Sequence, residues 1–180
     1  MIQRAVTRFL LLLSLVLCSV TGWAAGDAQY RLGSGDVISI NVFGEEDLSF
    51  EQIRMTDAGT FSYPFLGEVR ALGLTAAEVE QRIIKGLKGD YLIDPKVSVS
   101  ILEYRDFFVN GEVKEPGGYP FKPGLTLRKA VALAGGFTER ASKSKMSIIR
   151  EQGSDKRTFN ADLDTRVLPG DIITIEQSFF

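Results

Sequence analysis

The chain contains no histidine in 180 residues and only one cysteine, Cys18. Without histidine, a Ser-His-Asp triad, a Cys-His dyad and every His-ligated metal site are excluded. An excess of basic charge is missing too. Lys and Arg number 21 against 23 Asp and Glu, a formal net charge of −2, so there is no electrostatic footprint for nucleic acid. Long apolar runs are also absent. The longest, Phe9 to Val20, covers about 12 residues; that is within the ~7–15 of a signal-peptide core and below the ~20 needed to span a bilayer. With 44% hydrophobic and 24% charged residues, the composition excludes gross disorder, a collagen-like repeat and a multi-span membrane protein.

What is present begins with a leader pattern. Arg4 and Arg8 form a basic front, and Gly22-Trp23-Ala24 puts small residues at the positions a signal peptidase reads, which predicts cleavage after Ala24. The alternative, an uncleaved anchor, is disfavoured by the short apolar run. A lipoprotein signal needs a small residue before the acylated cysteine, and Leu17 stands there. Cys18 therefore reads as a plain leader cysteine, not a lipidated one. Residues 25–180 then carry no thiol, and their stability must come from a packed core. The expected compartment is the periplasm of a diderm bacterium.

The predicted fold class is α+β, a small unit over 25–103 followed by a β-grasp-like unit over 104–180. Val37 to Phe43 is rich in β-branched residues and reads as a strand. Glu51–Met55 and Thr60–Tyr63 are strand candidates around the turn Asp57-Ala58-Gly59. Thr75 and Glu78 match a capping box. Val79, Ile83 and Leu87 then recur at four-residue spacing as one buried helical stripe. Val97 to Ile101 alternates as a half-solvated strand does. In the second unit, Asn110-Gly111 suggests either a hairpin turn or a bulge within one strand. Pro116-Gly117 opens a turn into a short edge strand ending at Tyr119 and Pro120. Thr126 is placed as the cap of a short helix with stripe Leu127, Ala130, Val131 and Ala134. Met146–Arg150, Arg157–Phe159 and Ile172–Ile175 are further strands.

The halves share short similarities. Gly35-Asp36-Val37-Ile38-Ser39-Ile40 matches Gly170-Asp171-Ile172-Ile173-Thr174-Ile175 in residue type. Gly67-Glu68-Val69 recurs as Gly111-Glu112-Val113, and Gly73-Leu74-Thr75 as Gly124-Leu125-Thr126. Related building blocks are indicated, though not a solenoid, which needs three or more repeats.

The run Tyr30 to Ile40 resembles the opening of the bacterial polysaccharide biosynthesis/export family, the outer-membrane exporters of capsule and exopolysaccharide. The resemblance continues through Asp57 to Val69, which includes Gly59, Pro64 and Gly67, and through Gly73 to Glu78 and Asp94 to Val99. The second unit resembles the soluble-ligand-binding β-grasp (SLBB) domain at Val109 to Val113, Pro116-Gly117, Tyr119, Leu125 to Leu127 and Leu133 to Gly136. The resemblance implies a non-enzymatic component of a ring-like homo-oligomer that carries polysaccharide. It also implies an inner-membrane co-polymerase or chain-length regulator as partner. Long members add β-grasp repeats and a terminal amphipathic helix. This chain reads Gln177-Ser178-Phe179-Phe180 at that point, so the expectation is a short form working with a separate outer-membrane barrel. The alternative function is a periplasmic glycan-binding adaptor or sensor that does not conduct polymer.

A third class, a two-carboxylate glycosidase, would draw on Glu45, Glu46 and Asp47 or on Asp162 and Asp164. All sit in acidic, loop-like sequence with no sign of burial. Ser142 and Lys145 share the Ser-x-x-Lys spacing of some acyl-enzymes but lie in a polar stretch read as a loop. Gly33-Ser34-Gly35 lacks the third glycine and the downstream helix of a dinucleotide fingerprint. No catalytic residue, metal or cofactor is therefore assigned. For sugar, aromatic faces with polar neighbours are the relevant chemistry. The candidates are Tyr63, Tyr91, Tyr104 and Tyr119, with Arg105 and Asn110 as polar partners. Asp36 and Asp171 are read as turn formers.

Overall fold

The computed structural model describes residues 30–152 and 155–178. The leader with its Ala24 cleavage point and Cys18 lies outside the described residues. The architecture is α+β, with ten strands and two helices described.

In the first half, β1 (Val37–Val42) is the centre of a three-stranded antiparallel sheet between β2 (Phe50–Arg54) and β5 (Val97–Glu103). Ile40 stands opposite Val99, and Val42 opposite Val97. β3 (Thr60–Tyr63) and β4 (Gly67–Arg70) form a separate hairpin in which Phe61 faces Val69. Helix α1 (Ala76–Leu87) buries Val79, Ile83 and Leu87 in one cluster with Ile38, Ile40, Phe61 and Tyr63. Its start is held from both sides. Thr75 Oγ1 accepts from Glu78 N at 3.2 Å, and Thr75 N donates to Glu78 Oε2 at 2.7 Å. Two N–H groups that the helix leaves unpaired are thereby satisfied. One turn on, Glu80 Oε1 accepts from Val99 N at 2.8 Å, fastening the helix to the sheet edge.

The second half is a five-stranded sheet in the order β7 (Gly117–Tyr119), β6 (Phe107–Gly111), β10 (Ile172–Gln177), β8 (Ala141–Gln152), β9 (Asp155–Ala161). All neighbours are antiparallel except β6 and β10. Helix α2 (Leu127–Leu133) closes a second cluster through Leu127, Ala130 and Val131, packed with Phe107, Ile148, Ile173 and Ile175.

Several expectations need correction. Asn110-Gly111 is not a hairpin turn. β6 runs through Gly111, and its antiparallel partner is the later β7, with Phe107 opposite Tyr119. The glycine answers to packing: its φ is 85°, and a Cβ there would sit 2.1 Å from Ile175 O. Thr126 occupies the cap position of α2 without a side-chain cap bond. The first-turn N–H groups are met by backbone instead, Leu127 N donating to Thr165 O and Arg128 N to Leu163 O, both at 2.9 Å. Ser142 and Lys145 lie on β8, not in a loop. An odd spacing puts them on opposite faces of a strand, and Ser142 is buried while Lys145 is exposed.

Candidate functional site

The repeated Gly-Asp hexamer marks one structural device built twice. Gly35 and Gly170 take positive φ, 87° and 83°. The backbone then closes a turn in which Asp36 N donates to Gly33 O at 3.2 Å and Asp171 N to Leu168 O at 3.1 Å. The carboxylate folds back in each case. Asp36 Oδ2 accepts from Gly33 N, and Asp171 Oδ2 from Leu168 N, both at 2.7 Å. Both aspartates are fully buried at 0% exposure, so turn formation is only part of their role. A buried carboxylate requires a counter-charge and filled acceptor sites.

Each aspartate meets an arginine. Asp171 is held by Arg150 of β8 through two bonds, Nε to Oδ1 at 2.8 Å and Nη2 to Oδ2 at 2.7 Å. Such bidentate pairing is the stronger form of the interaction. Asp36 takes Arg105, from the segment joining β5 to β6. Arg105 N donates to Oδ1 at 2.8 Å, and Nη1 reaches Oδ2 at 3.3 Å. Tyr30 completes the cluster. Its hydroxyl donates to Asp36 Oδ2 at 2.7 Å and accepts from Arg105 Nη1 at 2.8 Å. Burial, more than any neighbouring charge, pushes the Tyr30 hydroxyl well above the ordinary tyrosine range. Asp36 thus accepts from four donors, and Tyr30 bridges it to Arg105, so the cluster anchors this turn.

Arg105 also ties the halves together. A Cβ on Gly33 would lie 2.0 Å from Arg105 Nη1, and one on Gly170 2.7 Å from Nε. The side chain thus passes between the two copies of the turn. Beside it, Tyr104 meets Tyr30 edge-on at 4.9 Å and Phe121 at 5.4 Å between ring centroids. An open groove of about 710 Å³ follows this junction, lined among others by Arg54, Leu102, Tyr104, Arg105, Phe121 and Lys122. Its size falls within the ~300–1,000 Å³ of ligand sites. Aromatic edges set among guanidinium groups can receive a saccharide by ring contact and hydroxyl bonds.

The remaining candidates fall elsewhere. Tyr63 is 2% exposed, and its hydroxyl donates to Leu48 O at 2.8 Å. It is a core residue out of a sugar's reach, which corrects the expectation. Tyr119 packs on Phe107, and its hydroxyl donates to Glu115 O. Asn110 is exposed at the end of β6. Tyr91 is exposed and stacked on Phe65, and neither lines the junction groove. Phe121 and Tyr30 join the site unforeseen; only the Tyr30 position at the head of the recognised run hinted at a role. Asp57 and Gly59 form a tight turn, Gly59 N donating to Thr56 O at 2.8 Å. Glu45, Glu46 and Asp47 are exposed around a short 3-10 turn. Asp162 accepts from Asp164 N and Thr165 Oγ1, the latter bond chiefly holding its carboxyl below the usual range. Among the described residues no group of three His, Cys, Asp or Glu is placed to hold a metal, and no helix is long and apolar enough to cross a membrane.

Two small α+β halves joined by a partly buried ion pair, with a groove along the joint, define the class of molecule. Family comparison assigns both halves. Residues 24–102 match the polysaccharide biosynthesis/export protein family, and residues 107–159 match the SLBB domain. The chain belongs to the polysaccharide biosynthesis/export family. It is 36% identical over 142 residues to an exopolysaccharide production protein, ExoF, of Rhizobium meliloti, covering 71% of this chain and 33% of the relative. It is 27% identical over 181 residues to an EPS I polysaccharide export outer membrane protein, EpsA, of Ralstonia nicotianae, covering 82% of this chain and 47% of the relative. The chain thus spans between a third and a half of the length of these curated relatives.

Proposed function

We propose that this chain is a non-enzymatic component of an envelope machine that exports an exopolysaccharide or capsular polysaccharide. The observation that carries the proposal is the ordered pair of domains, export then SLBB, on one chain. Relatives named for exopolysaccharide production and outer-membrane export support it. In this reading a leader ending near Ala24 is removed. Residues 25–103 and 104–180 work in the periplasm as export and β-grasp units of a homo-oligomeric ring, beside the outer membrane. The polymer is received from an inner-membrane co-polymerase and passed to an outer-membrane barrel. Tyr104, Arg105 and Phe121 are the proposed sugar contacts in the junction groove.

Gene deletion tests this. Export predicts polymer retained in the periplasm and lost from the medium. Normal secretion with altered chain length or expression would replace it by an adaptor or sensor role. Purified protein that shortens the polymer would replace it by an enzyme.

A further inference from the structure

The loop between β3 and β4 carries a feature that the export reading does not use. Among the described residues, Phe65 is the only non-glycine residue with positive φ, at 63°. Leu66 N donates to Pro64 O at 2.8 Å. This makes Phe65 the centre of a γ-turn of the positive-φ form, which is rare and strained. Aromatic residues have no intrinsic reason to occupy it. The strain is enforced from beside the ring. Leu66 is plugged against α1 so closely that a Cβ on Gly86 would meet it at 2.6 Å. The outcome is display, not burial. Phe65 is 62% exposed and stacks on Tyr91, itself 47% exposed, with centroids 4.5 Å apart and planes 25° from parallel.

Backbone strain persists where the surrounding fold over-determines it, and it clusters at ligand-contacting positions. A strained turn that holds two near-parallel rings in water fits a flat, partly apolar ligand. The C–H face of a pyranose has that shape, and its hydroxyls seek acceptors. Exposed Asp90 and Asp94 flank Tyr91 in sequence, and Glu45, Glu46 and Asp47 follow exposed Phe43, whose N–H donates to Lys96 O at the same end of the sheet. These five carboxylates accept from hydroxyls and outnumber the exposed Lys85 and Lys88 at the end of α1 and Lys96, five to three, so the surface keeps a modest negative excess that disfavours acidic sugars and anionic lipid.

We propose that Phe65 and Tyr91 form a stacking platform for neutral pyranose units of a polysaccharide, distinct from the junction groove. The proposal rests on the polysaccharide-handling reading above. The test uses the purified exported protein with cellohexaose and laminarihexaose, read by saturation-transfer NMR and calorimetry. Saturation is expected to reach the axial C–H protons. Phe65→Gly and Tyr91→Ala should each weaken binding at least tenfold, and oligogalacturonate should bind more weakly than the neutral hexamers. Phe65→Gly is the decisive variant, because glycine takes positive φ freely. Its melting temperature should not fall, so lost binding is not lost folding. The platform is overturned if neither neutral hexamer binds, or if both variants bind as the parent does. It is also overturned if their effect is instead on self-association in sedimentation or on flotation with phosphatidylglycerol vesicles. Export is scored separately by the deletion strain. Normal secretion there defeats the export reading whatever the NMR shows, and trapped polymer with no binding defeats the platform alone.

Discussion

Asp36→Ala should destabilise the protein about as much as truncating a large core side chain. The carboxylate is 0% exposed and accepts from Gly33 N, Tyr30 Oη, Arg105 N and Arg105 Nη1. Removing one partner of a buried ion pair costs about 3–5 kcal/mol, because the other charge stays behind uncompensated. Here the Arg105 side chain is 26% exposed, so water can partly repair its loss. The two backbone N–H groups have no such recourse, at ~1–3 kcal/mol for each one stranded. These terms overlap, and about 3 kcal/mol is the expected total, against a typical stability of ~5–15 kcal/mol. Urea denaturation followed by far-UV circular dichroism reads it. With m near 1–3 kcal/mol/M, the midpoint should fall by about 1–3 M. Asp36→Asn keeps the shape and one acceptor and should lose roughly half as much. Crossing Asp36→Ala with Arg105→Ala should leave a coupling energy above about 1 kcal/mol. A loss below about 1 kcal/mol for Asp36→Ala at unchanged m refutes the anchoring argument, since no buried, four-donor carboxylate is so cheaply removed.

Further outcomes follow from single contacts. Thr75→Ala should cost about 1 kcal/mol by opening the capping box, read as a lower melting temperature. The Thr75 N–H is the main cause that holds the Glu78 carboxyl below its usual 4.5. A lowered folded value gives stability that is present above about pH 4.5 and lost as pH falls through the folded value, so Glu78→Gln should flatten the acid limb of a stability–pH curve. Burial pushes the Tyr63 hydroxyl up to about 12 from 10.0. A raised value favours the protonated fold, so stability should be full below about pH 10 and decline towards pH 12, with Tyr63→Phe showing a shallower decline. Gly111→Ala should cost upwards of about 2 kcal/mol, from left-handed strain of ~1–2 kcal/mol plus the approach to Ile175 O. Gly117→Ala is the control, because nothing lies within 4 Å of its Cβ position; an equal loss at both glycines would refute the packing account.

Local chemistry was the legible part of the sequence. The capping box and the Val79-Ile83-Leu87 stripe involve residues within a few positions of each other, and the geometry reproduces them. Tyr63 and Tyr91 looked alike because nothing adjacent to either reports burial; only the β2 ring of Phe50 and the core around Phe61 separate them. β4 was unread as a strand because Gly67-Glu68-Val69-Arg70 offers one apolar residue, and pairing with β3 supplies the rest. Asn-Gly left a hairpin and a single strand both open, because the contact that decides between them comes from a strand far along the chain. Phe65 left no trace, since a bulky residue ahead of Gly67 is the last place to expect positive φ. The Gly-Asp repeat was visible as similarity, yet the partner that gives it meaning, Arg105, is 69 residues from Asp36.

That repeat explains how the halves are joined. Both copies bury an aspartate behind a left-handed glycine, so both need a guanidinium. The second copy takes Arg150 from a neighbouring strand of its own sheet. The first copy takes Arg105 from the segment between the sheets, which turns a local satisfaction rule into a tie between halves. The rest of that segment is fixed as well. Tyr104 is wedged between Tyr30 and Phe121, Asp106 O accepts from Gly170 N at 3.1 Å, and Phe108 N donates to Asp171 O at 2.9 Å. Tyr104-Arg105-Asp106 is therefore a structural element and not a linker, despite having no helix or strand of its own. The groove along it has walls from both halves set before any ligand arrives. A site so arranged avoids the ordering cost of assembling itself on binding. Loosening the clamp should therefore weaken the saccharide binding proposed for the groove even where no proposed contact atom is removed. In Asp36→Asn, which keeps the fold, any affinity for oligosaccharide in the groove should drop along with the coupling to Arg105.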